Sequence, residues 1–295
     1  MIYRASIVAV ILCAVAFLTG CGEKATPPAP TYTGPLLTPS ALLAGINARA
    51  ATTPSLWARH SFSLTARDSK GKVIDVSGDG VLMYQRAASS PLGARLRLVG
   101  NKDIAGSIFE LGCDDSRYWL SVTPEVSTLW WGRLANRELP CAEGLPVRPD
   151  EVLAVLGLAL ADENPTTEPA PVITYREQPA AYEVLWSVAT PAGRIPLRKV
   201  SYDRQTLRPM GVTLFEKDGR VAVLASLTNY PATRDSGKVD VPGSLTIQFP
   251  TRGATLQLQL RDVVPSRNGV PNERSIVFPK EPKVEKVVQV DVDCG

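Results

Sequence analysis

Histidine is all but missing from this chain of 295 residues: His60 is the only one. A single imidazole leaves Ser-His-Asp catalysis and histidine-based metal sites almost without support. Cysteine occurs five times, yet no CxxC or Cys/His grouping is present to hold zinc. Gly-x-Ser-x-Gly and phosphate-loop patterns are absent as well. The charges, 32 Lys plus Arg against 29 Asp plus Glu, leave only +3, and no block of basic residues stands out. A nucleic-acid binder needs a concentrated basic face, so that class is disfavoured. The sequence therefore points to a non-enzymatic protein with no cofactor, no metal and no nucleic-acid partner. What is present is a 44% hydrophobic content, enough to bury a core in one large or two small domains.

The N-terminus reads as an export signal. Arg4 supplies the positive end, and residues 5–17 (ASIVAVILCAVAF) form a largely apolar run that is too short for a membrane span of about 20 residues. Leu18-Thr19-Gly20-Cys21 follows and resembles the bacterial lipobox. That resemblance makes residues 1–20 the signal and Cys21 the lipidated first residue of the mature chain, anchored to a membrane through its acyl chains. Gly22 follows the cysteine, where an aspartate would resemble the inner-membrane retention signal of enterobacterial lipoproteins, so the resemblance implies the outer membrane, facing the periplasm.

Cys113, Cys141 and Cys294 then remain in an oxidising compartment. Cys113 and Cys141, 28 positions apart, are the more plausible disulfide pair, although spacing alone leaves the other pairings open.

Residues 21–39 are rich in Pro, Thr and Ala and read as a tether. Ser40 looks like the N-cap of a helix over 41–51, with Leu42, Leu43 and Ile46 on one stripe. The period then changes to two. Phe62 and Leu64 alternate with Ser61, Ser63 and Thr65, and Leu96 and Leu98 with Arg95 and Arg97. Six or so strands are expected over 57–133, including 73–85, 106–112, 117–122 and 127–133. Breaks fall at Ser69-Lys70-Gly71, Pro91-Leu92-Gly93, Gly100-Asn101 and Asp114-Asp115-Ser116. Pro149-Asp150-Glu151 suits the start of an almost wholly apolar helix over 152–161. Strands resume at 172–176, 181–189, 194–203, 209–217, 221–229, 244–249 and 255–263, the last alternating without a lapse. The tail, 280–295, adds an edge strand or stays extended. Short connections imply antiparallel order. About a dozen strands must curl wholly or partly into a barrel, and only the two helices are at hand to cover an apolar face left open. The fold class is thus mainly β (α+β): a large curled antiparallel sheet under one or two short helices.

In its order of elements the chain resembles the Lol-type (LolA/LolB-like) lipoprotein carrier and receptor family. The likeness rests on the lipobox, the short helix, the proline-started Arg148-Pro149-Asp150-Glu151-Val152-Leu153, and segments such as Ser77-Gly78-Asp79-Gly80-Val81-Leu82, Tyr118-Trp119-Leu120 and Asp218-Gly219. The resemblance covers roughly residues 40–265. It implies a half-open β-barrel over 40–279 with helices as a lid, a C-terminal extension over 280–295, and a hydrophobic cavity for acyl chains of lipids or lipoproteins. Candidate cavity-lining residues are Phe62, Leu64, Tyr118, Trp119, Trp130, Trp131, Leu153 and Leu156. Two readings of the aromatic group remain at this point, ordinary packing or the wall of a lipid-sized space. The corresponding alternative for function is an interaction module of an envelope complex with a filled core and a protein partner. Asp114-Asp115, Asp162-Glu163 and Gly78-Asp79-Gly80 lack the spacing of a calcium loop and are read as turns.

Overall fold

A computed structural model describes residues 32–67, 73–102, 106–123, 127–137, 145, 147–161, 169–191, 193–231, 239–280 and 283–292. The expected signal, Cys21, Cys141, Cys294 and the turn at 69–71 lie outside the described residues.

The first helix, α1, spans Pro39–Ala51. Its N-cap is Thr38, two residues before the expected Ser40: the Thr38 side chain accepts from the Ala41 amide at 3.3 Å, and Pro39 occupies the first helical position, where its missing N–H costs nothing. Thirteen strands follow in two runs. The first holds β1 (Ser55–Arg67), β2 (Val73–Arg86), β3 (Ala94–Lys102), β4 (Gly106–Cys113), β5 (Arg117–Val122) and β6 (Thr128–Arg133). The second helix, α2, is Pro149–Val155, after which come β7 (Ala170–Arg176), β8 (Ala181–Thr190), β9 (Gly193–Asp203), β10 (Pro209–Phe215), β11 (Val221–Thr228), β12 (Ser244–Phe249) and β13 (Ala254–Val264). A last strand, β14 (Lys286–Gln289), ends the described chain.

Two sequence expectations need correcting. The apolar run 152–161 does not stay helical: α2 stops at Val155, because Gly157 takes a left-handed conformation (φ 68°). The Leu158 amide then reaches the Leu153 carbonyl at 3.2 Å and the Gly157 amide reaches Ala154 at 3.1 Å, the pattern of a glycine-terminated helix end. Gly100-Asn101 and Gly78-Asp79-Gly80 are not turns but lie inside β3 and β2.

All fourteen strands form one sheet in the order β14-β6-β5-β4-β3-β2-β1-β13-β12-β11-β10-β9-β8-β7. Each run is a meander, and the two join where β1 pairs antiparallel with β13. The sheet is curled but unclosed: β7 ends one side, and β14, the one parallel strand, ends the other against β6. Because α2 lies between β6 and β7 in the chain, the connection that carries it must cross the open side. There α2 touches β4 on one flank and β10 and β11 on the other. The result is a half-open barrel with two helices.

The pleat gives the sheet two faces. On the inner face, Leu56, Ala58, His60, Phe62 and Leu64 of β1 pair with Tyr84, Leu82, Gly80, Gly78 and Val76 of β2. Leu42, Leu43 and Ile46 of α1 and Val152, Leu153 and Leu156 of the α2 segment belong to the same buried cluster. The segment entering α1 is fastened there too: the Leu37 amide donates to Tyr182 Oη at 2.8 Å and Arg204 donates to the Gly34 carbonyl at 2.9 Å.

The glycines of β2 and β3 serve this inner face sterically. The His60 ring lies over Gly80, and Gly100 faces the Phe109 ring. A Cβ at Gly80 would overlap the Val99 carbonyl oxygen of the neighbouring strand, which cannot move without breaking the ladder. Gly80→Ala is therefore expected to lose about 3 kcal/mol, the upper range for overpacking. Gly93→Ala, left-handed but with open space around it, should lose about 1 kcal/mol from backbone strain. Thermal unfolding of the two variants side by side checks the ranking.

Candidate functional site

Strand order places the two ends of the half-barrel in different environments. At one end β1 begins and β2 finishes. Leu56, Tyr84 and Leu96 are 0% exposed there, Tyr182 2% and Tyr202 7%, beneath α1. This end is sealed. At the other, where β1 finishes and β2 begins, the inner face carries apolar side chains that are only half-buried: Leu64, Val76, Phe109 and Val122 on one side of the seam, Ala254 and Leu214 on the other. Trp130, one step further in along β6, is half-buried as well. An apolar surface turned inward yet reachable by water is what an acyl chain would cover.

The sequence-derived candidates divide between the two faces. Phe62 and Leu64 are on the inner face of β1, and Tyr118 and Trp130 are on the inner faces of β5 and β6, facing Cys113 and Leu120 respectively. Leu153 and Leu156 are buried beneath the sheet, at 4% and 1% exposure. Trp119 and Trp131, neighbours in sequence of inner-facing residues, pair with each other on the outer face. They share no site with Tyr118 and Trp130.

A C-terminal strap covers that outer pair. Phe278 meets Trp119 edge-on at 5.7 Å between ring centres and Trp131 at 5.6 Å, with the Arg117 guanidinium 4.3 Å above it. The Trp119 indole donates to Glu110 at 3.1 Å, Arg97 holds Glu110 through two contacts at 3.0 and 2.9 Å, and Arg97 also donates to the Ser275 carbonyl. Beyond the strap, Asp291 accepts from the Arg133 amide and from Asn136, so the chain is tied down to its last described residues.

Cys113 lies on the inner face at the sealed end, 0% exposed, and burial pushes its thiol up to about 12. It therefore stays protonated and unreactive. Among the described residues it has no disulfide partner; the pairing with Cys141 lies outside them. His60 is also internal, with Nε2 3.0 Å from the Val99 carbonyl oxygen. Burial lowers its pKa to about 4, against the weaker opposing pulls of the Val99 carbonyl and Asp79, so the ring is neutral. Its surroundings are Gly80 and the Phe62 ring, which gives it a packing role.

Three inner-face residues escaped the sequence reading. Phe109 packs against Phe62 with ring centres 5.0 Å apart. Trp186 and Arg198 are cross-strand partners on β8 and β9, with the Arg198 guanidinium 4.2 Å over the indole. Their signal was parity: Trp186 shares the register of the buried Tyr182 and Val184, and Arg198 that of Val200 and Tyr202.

No family model matches the chain, and no curated protein matches it. Solved structures do. A domain assigned to outer membrane lipoprotein sorting from Vibrio parahaemolyticus aligns with 80% of this chain and 95% of its own, at 11% identity and a TM-score of 0.52. A DUF1329 family protein from Desulfovibrio piger aligns with 81% of this chain and 98% of its own, at 9% identity and a TM-score of 0.51. A LolA superfamily protein from Nitrosomonas europaea covers 82% and 99%, at 11% identity and a TM-score of 0.49. At such identities the likeness concerns the fold. The curled, unclosed sheet of fourteen described strands with its two helices is a half-open barrel, and it shares its fold with the Vibrio domain.

Proposed function

We propose that this protein is a non-enzymatic, lipid-anchored protein of the outer membrane, facing the periplasm, whose half-barrel holds acyl chains and assists lipoprotein or lipid handling. The observation that carries this reading is the unsealed end, where Leu64, Val76, Phe109, Val122 and Leu214 present an inward apolar surface that nothing else in the described chain covers fully. The fold and the lipobox Leu18-Thr19-Gly20-Cys21 support it.

Two experiments test the two halves of the proposal. Cys21→Ser should move the protein from the membrane to the soluble fraction, with loss of acylated mass from its N-terminal peptide; unchanged fractionation and mass would remove the anchor. The chain from Gly22 onward contains every described contact, and after export behind a cleavable signal it should take up a fluorescent fatty-acyl probe. Trp130→Ala should weaken that uptake several-fold, with a smaller loss of melting temperature than a fully buried tryptophan such as Trp119 would give.

A second reading has its own support. Leu42, Leu43, Leu153 and Leu156 are packed into one continuous core with the sheet, which suits an interaction module of an envelope complex whose interior is filled. Failure to bind any acyl probe, together with a co-purifying envelope protein, would favour it.

A further inference from the structure

One inner-face side chain is out of keeping with its surroundings. Arg198 stands on the inner face of β9, directly between Trp186 of β8 and Leu214 of β10. Its neighbour Lys199 takes the opposite face, 3.9 Å from Glu183. On the inner side, Val200 follows two positions on and Val223 lies beyond Leu214, so the guanidinium sits in an apolar row near the unsealed end.

Other shielded arginines of the molecule are answered. Arg49 and Arg208 share Asp240, Arg95 holds Asp115, Arg97 holds Glu110, and Arg86 donates to the Ala50 carbonyl. Arg198 has the Trp186 ring at 4.2 Å on one side, but among the described residues no carboxylate within 4.0 Å and no hydrogen-bond acceptor. Burial pulls its pKa down from the usual guanidinium value, the sign of a charge withdrawn from water without a compensating anion. An unanswered half-buried charge is unfavourable for the fold. A guanidinium stacked on an indole keeps its edge free, and that edge matches the geometry of a carboxylate or phosphate.

We propose that Arg198, shelved on Trp186, receives the anionic head of an acyl-chain ligand, carboxylate or phosphate, whose tail lies along the half-buried apolar residues of the unsealed end. This inference rests on the acyl-binding reading above and adds to it the class of ligand: acyl anions over neutral or cationic lipids. The ion pair forms without covalent change, and the ligand supplies the charge that the protein lacks at this point.

The test separates the two readings. Binding of cis-parinaric acid and of its methyl ester to the chain from Gly22 onward is measured by fluorescence. The acid should bind at least ten-fold tighter than the ester. Arg198→Gln should remove that preference and leave ester binding within two-fold, and Arg198→Lys should keep part of the preference. Competition by palmitate and by phosphatidate, each against its uncharged counterpart (methyl palmitate and diacylglycerol), tells a fatty-acid source from a phospholipid source, and an advantage for either anion supports the proposal. Equal binding of acid and ester by the unaltered protein overturns the role of Arg198 while acyl binding stands. Binding of neither overturns acyl binding and, with it, this inference. The acid and ester comparison needs no variant, so a poorly folding Arg198→Gln leaves the test intact.

Discussion

Trp119→Ala is expected to destabilise the protein by about 3 to 5 kcal/mol, the range for removing a large buried aromatic residue, while acyl-probe binding persists at temperatures where the variant remains folded. Trp119 is 0% exposed, yet it lies on the outer face, held between Gly112, the Glu110 carboxylate and Phe278. Its removal opens a cavity under the strap, leaves Glu110 without its indole donor, and loosens Phe278. Denaturant midpoints should fall with little change in slope, since the surface exposed on unfolding is nearly the same. Phe278→Ala should fall in the same direction by less, because Phe278 is only half-buried. Trp130→Ala should weaken binding and, because Trp130 is only half-buried against the core, lose less stability than Trp119→Ala. If Trp119→Ala abolished probe uptake while remaining as stable as the parent, the assignment of the two faces would be wrong.

Acidification should destabilise the protein through His60. The ring titrates near 4 in the folded state against 6.5 when free. Between these values the unfolded chain binds a proton that the folded chain refuses, so stability rises with pH across that window and is lost as pH falls from about 6.5 toward 4. The full difference is about 3 kcal/mol, of which about 2 should be gone by pH 5, above the main range of carboxylate titration. Chemical denaturation at pH 7.5 and pH 5 measures it. His60→Asn should start less stable, through lost packing over Gly80, but with a flatter pH dependence in this window. An equal slope in parent and variant would show that another group carries the effect.

Much of the sheet was readable because a half-buried strand advertises itself every second residue. β5 and β12 fall where alternation and turn signals place them, and Thr255 to Arg261 lies inside β13. The end of α2 was not readable from apolarity: Leu158 and Ala161 are buried, as a continued helix would also have had them, but Gly157 turned the chain and left Leu160 54% exposed. The aromatic group shows the opposite case. Tyr118 and Trp119 are adjacent, and in a strand adjacent residues cannot share a face, so their separation was implicit in the same period that located β5. The strap was invisible because Ile276 and Phe278 belong to no periodic element; only the folded outer face gives them something to cover. Arg198 was hidden by its chemistry, since a cation in an apolar register reads as a lapse in alternation until Trp186 is seen beneath it.

The position of Tyr182 and Arg204, which hold the segment leading into α1 at the sealed end, has a consequence for how the protein would stand on a bilayer. Ten residues separate Cys21 from Tyr32, a leash of roughly 35 Å when fully drawn out. A strand of thirteen residues such as β1, tilted as in a barrel, raises the domain by about 33 Å. Turning the domain over to press its unsealed end on the anchoring leaflet would pull the leash nearly straight, at a heavy cost in chain entropy. With the proposed anchor at Cys21, the relaxed posture would be upright, the apolar opening turned away from the anchoring membrane, and a ligand of the proposed kind would reach it from the aqueous side.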